Sequence, residues 1–106
     1  AMNVIARKAL QVFWKRYPQA ETPLSTWYQI VSRGEWSGPA DLKKAFGNNV
    51  DFVGDNRVIF DIGGNKYRVI AVIHYNRRCV YVRHVFTHSE YDRWSDTMRK
   101  AKRVKR

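Results

Sequence analysis

Residues 63–92 read GGNKYRVIAVIHYNRRCVYVRHVFTHSEYD, and the fold turns on how the apolar residues repeat within them. Lys66–Tyr75 and Cys79–Phe86 are rich in β-branched and aromatic residues, which suit a pleated, half-buried surface. Asn76-Arg77-Arg78 lies between them with turn chemistry, and Gly63-Gly64-Asn65 precedes the first run. Two such runs joined by a short turn predict an antiparallel hairpin. Thr87-His88-Ser89-Glu90 then matches the capping-box pattern, a hydroxyl followed three residues later by Glu, so a helix is expected to start there and run to about Lys102.

Working upstream, Arg57–Ile62 alternates as RVIFDI, and Val50–Val53 is a further short strand across the turn Gly54-Asp55-Asn56. Before residue 50 the period is helical. Ala9, Leu10, Phe13 and Tyr17 share one face of a helix over Ala6–Tyr17, which Pro18 ends. Thr22-Pro23 has the form of a cap followed by proline at the first helical position. Leu24, Trp27, Tyr28 and Val31 then line a second helix that stops near Gly34. Ala40–Phe46 is a short third helix, and Met2–Ile5 an edge strand. Trp14, Trp27 and Trp36 are expected in the core or between helices rather than on a working surface. The expected fold is α+β: an N-terminal helical hairpin packed on a 4–5-stranded antiparallel sheet, helices on one face, closed by a C-terminal basic helix. One domain over residues 1–106 is expected, with Ala1 read as a cloning scar and 103–106 as a frayed basic tail.

Composition narrows the function. The 106 residues are 44% hydrophobic, too apolar for a disordered chain. No apolar run is long enough to cross a bilayer. Arg7, Lys8, Lys15 and Arg16 interrupt the N-terminal apolar pattern, unlike a secretory signal. With neither an apolar span nor a signal, no membrane association is expected, and the single cysteine, Cys79, which cannot form an internal disulfide, fits a reducing, cytoplasmic location. The net charge is +11 and unevenly spread: residues 1–53 hold 7 Lys/Arg against 4 Asp/Glu, and residues 54–106 hold 13 against 5. A basic half that carries aromatics points to nucleic acid or an acidic protein partner. Arg77, Arg78, Arg83, Arg99 and Lys102 are candidates to bind RNA phosphates. The basic run from Arg99 either grips nucleic-acid phosphates, is covered by an acidic partner, or is a solvated terminus.

The chemistry-bearing residues gather near the start of the last helix. With Thr87 as cap, His88 and Tyr91 lie three apart on one side of that helix, beside backbone N–H groups that attract anions. Lys66 and Arg68, two apart on a strand, point to one face and form a phosphate clamp in which Arg grips best. The alternatives are a solvated His88 with Tyr91 packed on the sheet, and an Arg68 paired with an acid such as Asp61. Arg83 and His84, as strand neighbours, face opposite ways. His84 and His88 have metal-binding spacing only on a helix, and their segment is a strand, so no metal is expected. No phosphate-binding glycine loop or acidic cluster is present, Cys79 has no adjacent histidine to make it a nucleophile, and no cofactor is expected. What remains is metal-free cleavage of RNA, whose own 2′-hydroxyl is the nucleophile. The protein would stabilise charge with Arg and Lys and move protons with His or Tyr. Two other classes stay open: a module that binds RNA without cutting, and a DNA-binding regulator. The last is disfavoured because neither helix of the hairpin concentrates basic residues on one face.

The segments ARKAL, KRYPQA, DLKKAFG, VIFDIGGN, NKYRVIAVI and THSEYD together resemble the HigB-type toxins of the RelE superfamily. GGNKYR followed some twenty residues later by THSEYD, in a chain this short, is the most specific part. The resemblance implies a RelE-like fold and ribosome-dependent cleavage of mRNA, with contacts to rRNA. It also implies neutralisation by a HigA-like helix-turn-helix antitoxin, and operator DNA bound only through the antitoxin complex. On that basis Arg68, His88 and Tyr91 are the expected active-site residues, with Lys66 as a supporting cation. Arg68 is assigned to phosphate and transition-state stabilisation, His88 to proton transfer, and Tyr91 to orientation or proton transfer.

Overall fold

Alternation of apolar residues along the second half of the chain builds one five-stranded sheet, and helical periodicity in the first half builds the layer that covers it. The computed structural model describes residues 1–5 and 7–104, with side chains as far as Lys100. Strand β1 is Asn3–Ile5, followed by helices α1 (Arg7–Arg16), α2 (Glu21–Arg33) and α3 (Pro39–Phe46). Strands β2 (Val50–Phe52), β3 (Arg57–Ile62), β4 (Tyr67–His74) and β5 (Cys79–Thr87) come next, and helix α4 (His88–Val104) closes the chain. The sheet order is β1-β5-β4-β3-β2.

The expected α+β architecture is present, with the N-terminal helical hairpin on the sheet and a basic helix at the end. The sheet, however, is mixed rather than antiparallel. β2–β5 form the expected antiparallel meander, but β1 runs parallel to β5, with Val4 opposite Val80. Short turns fix the direction of consecutive strands; β1 has no hairpin to its partner, so turn chemistry says nothing about its sense. A second difference is that the helices do not all lie on one face. Val58, Phe60, Ile62, Tyr67, Val69, Ala71, Ile73, Val80 and Val82 share a core with Leu10 and Phe13 of α1, Leu24, Trp27 and Val31 of α2, and Leu42 of α3. Helix α4 instead packs Trp94 against His84 and Phe86 of β5, whose strand partners are Ile70 and Arg68. Ile59 and Ile70 are buried but lie outside the main core, on this second face.

Local differences have local causes. Helix α2 starts at Glu21, continuing from a 3-10 turn at Pro18–Ala20, so Thr22 is not its cap. Pro23 sits inside the first turn, where a missing N–H costs nothing. Trp27 is the buried tryptophan, set edge-on against Phe60, while Trp14 and Trp36 pack at the margin of the core. The β3–β4 turn takes Gly63, Gly64 and Asn65 at positive φ, and a Cβ on Gly63 would come 3.3 Å from the Tyr67 ring. Lys66 belongs to this turn and is exposed, so β4 begins one residue later than expected. Of the tail expected to fray over 103–106, residues 103 and 104 continue α4, and 105–106 lie outside the described residues.

Candidate active site

The capping box forms as its sequence requires. Thr87 N–H donates to the Glu90 carboxylate at 2.9 Å, and Glu90 N–H donates to the Thr87 hydroxyl at 3.2 Å. His88 N–H donates to the Lys66 carbonyl at 2.9 Å, which fastens the start of α4 to the β3–β4 turn. These three amides are therefore spoken for, and a carboxylate already sits at the helix end. The expected anion site would have to draw on what these contacts leave, chiefly the Ser89 N–H between them.

What the anchor does achieve is convergence. Arg68 Nη2 lies 3.2 Å from His88 Nδ1, and the guanidinium carbon lies 5.4 Å from the centre of the Tyr91 ring. The structure thus brings Arg68, His88 and Tyr91 together and leaves Lys66 pointing to solvent one turn away. Lys66 and Arg68 do not form a clamp, because only Arg68 is on the strand. Arg68 is 9% exposed. Its Nε meets Asp61, the residue opposite it on β3, at 2.9 Å, and Nη1 donates to the carbonyls of Asn65 (3.1 Å) and Tyr67 (3.3 Å). Of five N–H donors, one on Nη2 is left over. The pairing with Asp61 and the contact with His88 thus coexist, since a guanidinium is a fork with several tines.

Arg68 also sets the tautomer of His88. A guanidinium only donates, so Nδ1 accepts and the neutral imidazole carries its proton on Nε2. That nitrogen lies 3.3 Å from the Asp92 carboxylate, one helical turn on. Both side chains are more than half exposed, so the pair faces solvent while Arg68 supports it from below. Asp92 was not singled out in the sequence. The signal was there, as an acid four residues after a histidine on a helix, but such pairs are common on exposed helices. Tyr91 turns its ring toward Trp94, at 6.1 Å between centres, and so joins the aromatic seam under α4.

The remaining cations are spread out. Arg83 has no partner on β4, because Ile70 pairs with His84 and Ala71 with Val82. The extra residue is a β-bulge, which re-aims side chains, and so Arg83 and His84 line one cavity despite being neighbours. The expectation that they face opposite ways fails there. Arg77 and Arg78 lie in the β4–β5 turn, beyond a run of strand from Arg68 to His74 roughly 20 Å long, and do not reach the site. Arg99 is exposed on α4 and paired with Asp96. Lys102 is within α4, but its side chain lies outside the described residues.

His84 is held below the ordinary histidine range, first by partial burial and then by the Arg57 and Arg83 guanidiniums. It stacks on Phe86 at 5.1 Å and tilts against Trp94 at 5.4 Å. These contacts pack α4 against the sheet.

An α+β sheet closed by a basic helix is the fold of the RelE-like toxins, and the comparisons agree. The family model HigB_toxin, the RelE-like toxic component of a toxin–antitoxin system, matches residues 20–94. The chain belongs to this family of HigB toxins. It is 35% identical over 93 residues to the mRNA interferase toxin HigB of Escherichia coli K12, covering 86% of this chain and 88% of that one. The same figures hold for mRNA interferase HigB of Shigella flexneri. The mRNA interferase HigB of Escherichia coli O6:H1 is 30% identical over 93 residues, covering 87% of this chain and 90% of the relative. The matched region contains Arg68, His88 and Tyr91 and ends at Trp94, short of Arg99 and Lys102.

Proposed function

We propose that this toxin is an endoribonuclease that cuts mRNA on the ribosome without a metal ion. The relatives named as mRNA interferases support the substrate, and the contact between Arg68 and His88 supports the chemistry. In the resting site Nδ1 of His88 is occupied by Arg68. A substrate phosphate competes for the guanidinium through charge-assisted bonds, draws Nη2 onto its oxygen, and frees Nδ1. That nitrogen then takes the proton of the 2′-hydroxyl. The 2′-oxygen attacks phosphorus, the bond to the 5′-oxygen breaks, and Tyr91 supplies a proton to the departing oxygen. Asp92 stabilises the imidazolium through Nε2, as a carboxylate does beside a catalytic histidine. Arg68 balances the charge that develops on the phosphate. The products are a 2′,3′-cyclic phosphate and a 5′-hydroxyl. Lys66, exposed in the adjoining turn, contributes a long-range positive field rather than a fixed contact.

The partner is a HigA-like helix-turn-helix antitoxin, with operator DNA reached only through the complex of the two, and the site of action is the cytoplasm. The excess of positive charge, +11, suits both rRNA and an acidic antitoxin. One observation favours the alternative of a toxin that blocks the ribosome without cutting: Arg68 is buried against Asp61, as a structural arginine is. Primer extension on messages from cells expressing the toxin decides between them. New 5′ ends inside translated frames, absent with His88→Ala, are expected. Arrested translation with intact message overturns the cleavage mechanism.

A further inference from the structure

The second face of the sheet carries a cavity next to the Arg68–His88–Tyr91 cluster that the cleavage steps do not use. It measures 490 Å³ and is lined by Ile70 and Val72 of β4, Arg83 and His84 of β5, Trp94 and Met98 of α4, and, from the edge of β3, Arg57 with Asp55 before it. The lining has three chemical parts. Trp94 and His84 provide aromatic surface, 5.4 Å apart between centres. Ile70, Val72 and Met98 provide an apolar floor, with Met98 40% exposed at the mouth. Arg57 and Arg83 are exposed at the rim, and both depress the pKa of His84, so their positive field reaches inside. Asp55 is the one acidic side chain in the lining.

We propose that this cavity is a nucleotide subsite: it takes a base of the single-stranded RNA flanking the cleaved bond, with the adjoining phosphates on Arg57 and Arg83. This rests on the proposed RNA substrate and adds to it where the rest of the strand goes. The path is continuous. Ile70 is the next residue after Arg68 on the same face of β4, about 7 Å along. Trp94 is one turn of α4 from Tyr91 and in ring contact with it. An RNA strand whose scissile phosphate meets Arg68 and His88 can therefore enter the cavity with a neighbouring base. Aromatic surface beside cations is the usual platform for single strands, because every base has a face to stack. The bulge at Arg83 is what makes the site. Without it Arg83 would follow the alternation of β5 away from the cavity that His84 lines.

The test uses the whole protein and a short single-stranded RNA that is 2′-O-methylated throughout, so that it binds but cannot be cut. Arg57→Gln with Arg83→Gln is expected to weaken binding by about tenfold at 0.1 M salt. It is also expected to reduce the slope of log affinity against log salt by about 1.4, the value for two phosphate contacts on a single strand. Lys43→Gln with Lys44→Gln removes the same charge from α3 on the opposite side of the sheet and should change both far less. A 2-aminopurine placed along the RNA should be quenched by wild type at one position and lose that quenching in the Arg57/Arg83 variant. Equal losses in the two double variants, or no binding by wild type, overturn the subsite. A wild type that binds through Arg57 and Arg83 yet leaves messages uncut sinks the cleavage mechanism and leaves the subsite standing.

Discussion

The two faces of the sheet are made from the same strands and are put to different use. Facing α1–α3, every inward residue of β3 and β4 is apolar, and Phe60 sits edge-on between Trp27 and Phe46 at 5.2 and 5.1 Å. Facing α4, apolar Ile59 and Ile70 alternate with Asp61, Arg68 and His84, and one helix covers part of the surface. The first face excludes water and charge, and so can only stabilise. The second holds a guanidinium buried enough to be rigid, and an imidazole more than half exposed that can meet a substrate. A side chain acting on a polyanion has to be both fixed and reachable, and this face provides the two conditions in adjacent residues.

The largest expected effect tests the first face. Phe60→Ala removes a ring from a fully buried aromatic cluster and should lower the unfolding free energy by about 4 kcal/mol, measured by urea denaturation, with toxicity lost along with the fold. A cost below about 1 kcal/mol would show that this face is not where the stability lies. Next is Arg68→Ala, which leaves Asp61 largely buried without its partner and should cost about 3 kcal/mol. The comparison sharpens when both partners go. Asp61→Leu with Arg68→Met should recover much of that stability, since a buried ion pair is often replaceable by apolar groups, while mRNA cleavage stays lost. A stable double variant that still cuts message would make Arg68 a purely structural arginine.

How far these faces were legible in the sequence follows from the range of the interactions. The strand boundaries of β3 and the capping box of α4 are local patterns, and they appear where alternation and the Thr87–Glu90 spacing place them. The core face was legible too, because an uninterrupted apolar set has only one place to go. The sense of β1, the side on which α4 lies, and the bulge at Arg83 depend on contacts distant in sequence, and no local signal encodes them. The candidate site was legible as a set of residues but not as a geometry. Arg68, His88 and Tyr91 do meet, yet Lys66 turns away because Gly63-Gly64-Asn65 needs a fourth residue to close the turn. The buried state of Arg68 could be read only as an alternative, since pairing with Asp61 depends on cross-strand register. The capped state of the helix start was hidden for a simpler reason. The capping box that marks a helix start also engages two of the amides that could bind an anion, and the Lys66 carbonyl takes a third.

The third prediction separates fixed from reachable. His88→Ala removes a side chain that is mostly exposed, and should change stability by less than about 1 kcal/mol, within the ordinary range for surface substitutions near a polar contact. Cleavage should fall ~10²–10⁴-fold, the usual worth of a proton-transferring group, measured as single-turnover cutting of message on purified ribosomes. A loss of stability as large as that of Arg68→Ala would put His88 on the structural side of the divide.

The smallest effect concerns the seam between α4 and the second face, and it depends on pH. His84 has its pKa lowered in the folded chain by burial, Arg57 and Arg83, whereas the unfolded chain returns it to about 6.5. Above that value both states hold a neutral imidazole and the seam is at full strength. As pH falls through 6.5 the unfolded chain binds a proton that the folded chain resists, so stability declines until the folded pKa is passed. His84→Phe keeps an aromatic ring beside Phe86 and Trp94 and removes the titration. Thermal melts from pH 7.5 to 5.5 should show a fall in Tm for wild type that is shallower in the variant. Parallel curves would mean that the two guanidiniums do not act on His84, and that the positive field inside the cavity is weaker than their placement at its rim requires.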